Sequence, residues 1–142
     1  MLRMPILHLL MATLVLTILS CQGETEPYNS DSASLSATKW LELIDSQNYK
    51  KSWETASIAF QNQIGVDDWI STAMTAREPL GKVISRELTN QTYKTSLPEA
   101  PDGEYVVMEF TSSFTNKKSA IETITPMLDE DGQWRVAGYY IR

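Results

Sequence analysis

Residues 101–114 read Pro-Asp-Gly-Glu-Tyr-Val-Val-Met-Glu-Phe-Thr-Ser-Ser-Phe, and this stretch decides the fold. Pro101-Asp102-Gly103 is an entry turn. Beyond it Val106, Met108 and Phe110 fall on one face of an extended chain, and Tyr105, Val107, Glu109 and Thr111 on the other. The same period of two runs through 82–95, 119–128 and 133–141. The last two segments flank Asp129-Glu130-Asp131-Gly132, a strong hairpin signal. Four strands in succession, joined by short turns, predict an antiparallel meander.

Upstream of Gly81 the period is helical. Trp40, Leu41, Leu43 and Ile44 form a stripe ended by Asp45-Ser46-Gln47-Asn48. From Tyr49 onward Trp53, Ala56, Ser57 and Phe60 recur at helical spacing. A third helix starts at Asp67-Asp68, carries Trp69, Ile70, Ala73 and Met74, and stops at Pro79 and Gly81. Helices followed by a meander predict an α+β domain over 35–142, its helices packed on a curved, mainly antiparallel four-stranded sheet.

The amino terminus carries a different message. Arg3 precedes an apolar run from Pro5 to Leu19, shorter than the roughly 20 residues that cross a bilayer, and Ile18-Leu19-Ser20-Cys21 follows as a lipobox. Residues 1–20 therefore read as a lipoprotein signal peptide and Cys21 as the lipidation site. Gln22 is not an aspartate retention signal, which directs the expectation to the outer membrane with the domain facing the periplasm. Residues 21–34 are small, polar and acidic and read as a flexible tether; about 13 such residues hold a domain some 20 Å from the lipid.

Cleavage before Cys21 removes His8, the single histidine, and lipidation consumes the single cysteine. Ser-His and Cys-His nucleophilic machinery, His or thiolate metal sites and disulfides are thereby excluded, and no cofactor is expected. The acidic run 129–131 lacks the spacing of a calcium loop. A net charge of −6 opposes binding to nucleic acid. Carboxylates, tyrosines and lysines remain for acid–base work.

Taken in order, Trp40-Leu-Glu-Leu-Ile-Asp45, Tyr49-Lys-Lys-Ser-Trp53, Arg77-Glu-Pro-Leu-Gly81, Pro101 to Val107, Ala120-Ile-Glu-Thr123 and Gly132 to Arg142 resemble the bacterial domain of unknown function numbered 4019, over about residues 36 to 142. One departure lies in the turn after the first helix, where the family usually has a glycine and this chain has Gln47-Asn48. The resemblance implies an envelope-targeted domain with a cystatin-like or nuclear-transport-factor-two-like cone fold. It implies no reaction.

Two candidate sites emerge. Simple alternation puts Trp134, Val136, Gly138 and Tyr140 on one face of the last strand and Arg135, Ala137, Tyr139 and Ile141 on the other. Either face could line an aromatic pocket closed by Trp40 or Trp53, or simply pack as core. Glu122 shares a face with Ala120, Ile124 and Leu128, so burial of that face obliges the carboxylate to be paired or protonated. Arg135 across the hairpin is the expected partner, with Arg77 and Arg86 as alternatives. Two functions fit these readings. One is a non-catalytic, membrane-tethered module binding an envelope protein or a small hydrophobic ligand. The other is a cofactor-free isomerase or dehydratase using a carboxylate and a tyrosine.

Overall fold

The computed structural model describes residues 29–142. The expected signal peptide, the expected lipidation site Cys21 and residues 22–28 of the expected tether lie outside them. Four helices, α1 (Ser30–Asp45), α2 (Tyr49–Glu54), α3 (Ile58–Gln63) and α4 (Val66–Arg77), precede four strands, β1 (Val83–Lys94), β2 (Tyr105–Phe114), β3 (Ala120–Leu128) and β4 (Trp134–Ile141). The strands form one open, fully antiparallel sheet in sequence order. The fold is α+β, as the two periods predict.

α1 starts earlier than expected. Residues 30–34, assigned to the tether, are helical because the Asn29 side chain accepts the Ser32 N–H at 3.0 Å, Asp31 favours the positive end of the helix dipole, and Ala33 is 0% exposed. The segment expected to be one helix from Tyr49 onward is two. Ser57 breaks it: its hydroxyl accepts the Phe60 N–H at 3.1 Å to start α3, while its own N–H donates to the Val136 carbonyl at 2.9 Å and fixes α3 across β4.

The core lies between α1 and the sheet. Trp40, Phe60 and Trp69 meet in pairs 4.9–6.4 Å apart, and the Tyr139 ring lies 5.4 Å from Trp40. Their polar edges are satisfied locally. Trp40 Nε1 donates to the Ser52 carbonyl at 2.8 Å, and Trp69 Nε1 to Ser52 Oγ at 2.9 Å. Plain core packing therefore occupies the space an aromatic cavity would need.

Alternation along β4 fails at one point. Thr125 faces Gly138 but Pro126 faces Val136, so Ala137 is an extra residue in a bulge. Pro126 cannot donate to the ladder, and the bulge lies where its N–H would have been required. The phase of β4 flips there. Trp134 and Val136 share the helix-facing side with Tyr139, which pairs with Ile124, while Tyr140 is 60% exposed on the outer face.

Two of the four positive-φ positions among the described residues, Gln47 and Gly81, arise for opposite reasons. After α1 the Asn48 N–H donates to the Leu43 carbonyl at 2.8 Å and the Gln47 N–H to the Ile44 carbonyl at 3.0 Å, a Schellman cap with Gln47 at φ 60°. At the entry to β1, Gly81 has φ 76°, and a Cβ there would collide with Thr115 Oγ1. Gln47→Gly relieves left-handed strain and should raise stability by roughly 0.5–1 kcal/mol, whereas Gly81→Ala should cost about 2 kcal/mol or more. Denaturant midpoints at unchanged m-value measure both. Equal effects of the two substitutions would contradict the assignment of strain.

Candidate functional site

Glu122 lies on the helix-facing side of β3 and is 0% exposed. Three donors converge on it. Arg86 on β1 gives Nε to Oε2 at 2.6 Å and Nη2 to Oε1 at 3.2 Å; Ser112 Oγ on β2 donates to Oε2 at 2.5 Å; the Tyr139 hydroxyl on β4 donates to Oε1 at 2.6 Å. These four hydrogen bonds fill the acceptor capacity of a carboxylate. Every strand of the sheet thus contributes to one buried charge.

The network continues into the helices. Arg86 Nη1 and Nη2 grip Asp45 Oδ2 and Oδ1 at 2.8 and 3.0 Å, and Arg77 Nη2 donates to Asp45 Oδ1 at 2.9 Å. Arg77 is itself buried, its guanidinium 4.3 Å above the Phe114 ring, with Nε and Nη1 facing no acceptor among the described residues. Asp45 is the last residue of α1, at the negative end of the helix dipole, where a carboxylate is unfavourable unless cations compensate it. Two cations and two anions alternate along the chain Arg77–Asp45–Arg86–Glu122.

This setting decides the protonation states. Burial pushes the Glu122 carboxyl up, but the Arg86 guanidinium and the Ser112 and Tyr139 hydroxyls outweigh it and hold the group below its usual range. Burial, then the negative charge of Glu122, pushes the Tyr139 phenol up, so Tyr139 is a fixed donor. Burial weakens the Arg86 cation, but its bonds to Asp45 and Glu122 more than restore it. The ionised carboxylate has every lone pair engaged, beside a phenol whose proton is committed to it, and the arrangement links all four strands.

The expected Glu122–Arg135 pair does not form, and the register explains why. Glu122 faces Ile141 across the hairpin, while Arg135 faces Met127 near the turn. Arg135 instead donates to Asp129 at 2.9 Å and to Asp131 at 2.7 and 2.8 Å. That contact, with the Gln133 N–H, holds the Asp131 carboxyl at about 2. Arg86, the alternative partner, takes the role given to Arg135. Among the sequence candidates the structure joins Tyr139 to Glu122, leaves Tyr140 on the outer face, and places Trp134 and Arg135 at the far end of the sheet. Asp45 and Ser112 were missed. An acidic residue closing a helix was the available signal for Asp45; Ser112 had none.

Among the described residues, three prominent hollows are lined by other side chains than Glu122, Arg86 and Tyr139. A groove of about 820 Å³ runs between α1 and the β3–β4 hairpin, with Leu35, Leu43, Leu128 and Trp134 along it and Lys39 and Arg135 at its edge. On the other side of the hairpin a hollow of about 730 Å³ lies against α3. Among the described residues no three His, Cys, Asp or Glu side chains converge to hold a metal ion.

Fold and site together define a helix-covered antiparallel meander whose internal charges are mutually neutralised. The chain belongs to the DUF4019 family, proteins of unknown function, whose model matches residues 36–139. No curated protein matches it.

Removing one member of the Glu122–Arg86 pair leaves an uncompensated buried charge. Glu122→Gln and Arg86→Met should each cost about 3–5 kcal/mol, and the double variant less than the sum. The folded carboxyl has the lower pKa, so the unfolded chain binds the extra proton. The contribution of Glu122 is complete above its ordinary value near ~4.3 and is lost as pH falls through the depressed folded value. Stability of Glu122→Gln should fall less steeply below about pH 5 than that of the parent. Additive single variants, or identical acid slopes, would contradict the pairing.

Proposed function

We propose that this chain is a lipid-anchored protein of the bacterial envelope, held by Cys21 in the outer membrane, whose domain is a non-catalytic binding module facing the periplasm. The observation that carries the binding reading is the contrast between a closed charge network and an open groove. Glu122 and Tyr139 are enclosed and committed to each other and to Arg86 and Ser112, whereas the α1 groove offers an apolar wall with Leu35 54% exposed and Trp134 partly buried. Such a wall, set among polar side chains that include Lys39, Glu104, Gln133 and Arg135, suits a small amphipathic or hydrophobic ligand or an apolar segment of an envelope protein. The anchoring reading rests on Arg3, the apolar run and Ser20-Cys21. Among the described residues no helix is long and apolar enough to cross a membrane. Asn29, the first described residue, lines the same groove, so a ligand bound there would sit at the tethered end of the domain.

Two measurements test this reading. Cys21→Ala should abolish incorporation of labelled palmitate and leave a precursor or a released protein, since stable attachment needs the acyl chains; continued labelling would refute the anchor. Leu35→Glu should weaken binding of an apolar reporter such as anilinonaphthalene sulfonate about tenfold, with near-ultraviolet dichroism unchanged. Unaltered dye affinity would remove the groove from consideration.

A further inference from the structure

The hollow on the other side of the β3–β4 hairpin has a different character. Ala56 and Ala59 from the α2–α3 region and Met127 and Leu128 from β3 form an apolar floor, and Ile58 projects beside it, 62% exposed. Its margin is acidic. Glu54, Asp102 and Glu130 stand around it, and the one arginine present, Arg135, is already engaged by Asp129 and Asp131. Asp102 and Glu130 have no ion-pair partner among the described residues, and Glu54 has only the exposed Lys51 at 3.5 Å. The exposed branched side chain leaves apolar surface in water, and Asp102 and Glu130 beside it lack counter-charges.

We propose that this hollow docks a basic amphipathic segment of a partner protein, an apolar side chain covering Ile58 while flanking lysines or arginines meet Glu54, Asp102 and Glu130. The charge balance selects this occupant. An anionic lipid surface is repelled by a chain of net charge −6, and a single metal ion is disfavoured because the carboxylates ring the hollow instead of converging. An extended segment can satisfy dispersed charges and cover the apolar floor together. The proposal does not depend on the lipid anchor or on the α1 groove.

The test uses full-length protein in detergent and the anisotropy of a fluorescent peptide of alternating lysine and leucine. Saturable binding is expected, weakened by salt. Ile58→Lys should weaken it about tenfold or more, and Asp102→Asn combined with Glu130→Gln about threefold or more, while Thr72→Lys on the exposed side of α4 makes the same charge change as Ile58→Lys and should leave affinity unchanged. All three alter exposed side chains, so folding is preserved and is checked by dichroism. Equal loss in Ile58→Lys and Thr72→Lys would overturn the proposal. So would equal affinity for a glutamate–leucine peptide, for polylysine, or displacement of the peptide by calcium alone.

Discussion

A carboxylate cannot be enclosed in a protein core as a bare charge; it must be given enough donors to replace water or it takes up a proton. Glu122 meets this demand with four hydrogen bonds drawn from β1, β2 and β4. The consequence is geometric. A slip of β3 by one residue would send Glu122 to the outer face and leave Arg86, Ser112 and Tyr139 unsatisfied, so the pairing of all four strands is specified by one side chain. Asp45 extends the same specification to the helices, tying the end of α1 to β1 through Arg86 and to the end of α4 through Arg77. Such a network adds little net stability compared with well-packed apolar residues, but breaking it is expensive, which suits a part that fixes arrangement.

What the network occupies is then unavailable for chemistry. The helix-facing side of the sheet is filled by Glu122 and its donors at one end and by Trp40, Phe60 and Trp69 beside them. Open surface with recognisable character lies instead at the hairpin end, where the turn from Leu128 to Arg135 separates an apolar groove against α1 from an acid-rimmed hollow against α3. Arg135 belongs to this end. Its grip on Asp129 and Asp131 stiffens the turn between the two hollows and neutralises part of the acidic run.

The fold was legible because its two periods are clean: the 3.6-residue stripe through Trp40 and Ile44, and the alternation through Val106 and Met108, each mark a single buried face. The departures have local causes. The α2–α3 break depends on one serine that caps a helix and donates to a distant strand, and the hydrophobic period runs through it unbroken. Alternation in β4 was misread past Ala137, because a bulge opposite a proline shifts the phase and exchanges the roles of Tyr139 and Tyr140. Burial of Glu122 followed from its apolar neighbours Ala120 and Ile124. Its partner did not, because strand alternation gives the face of a residue and not its height along the sheet, and Arg135 lies on the correct hairpin at the wrong level. Arg86 is distant in sequence and is brought to Glu122 by two successive pairings.

The central claim is that Glu122 is a buried anchor of the sheet, held ionised through the range in which exposed glutamates titrate. Carbon-13 NMR of the Glu122 side-chain carboxyl, followed as pH is lowered, tests it most directly. The account predicts that the Glu122 signal stays at its ionised position through the range in which exposed glutamates titrate, near ~4.3, and changes only at lower pH or with acid unfolding. Titration at or above that value in the folded protein would contradict it, and would return Glu122 to the group of residues able to carry chemistry.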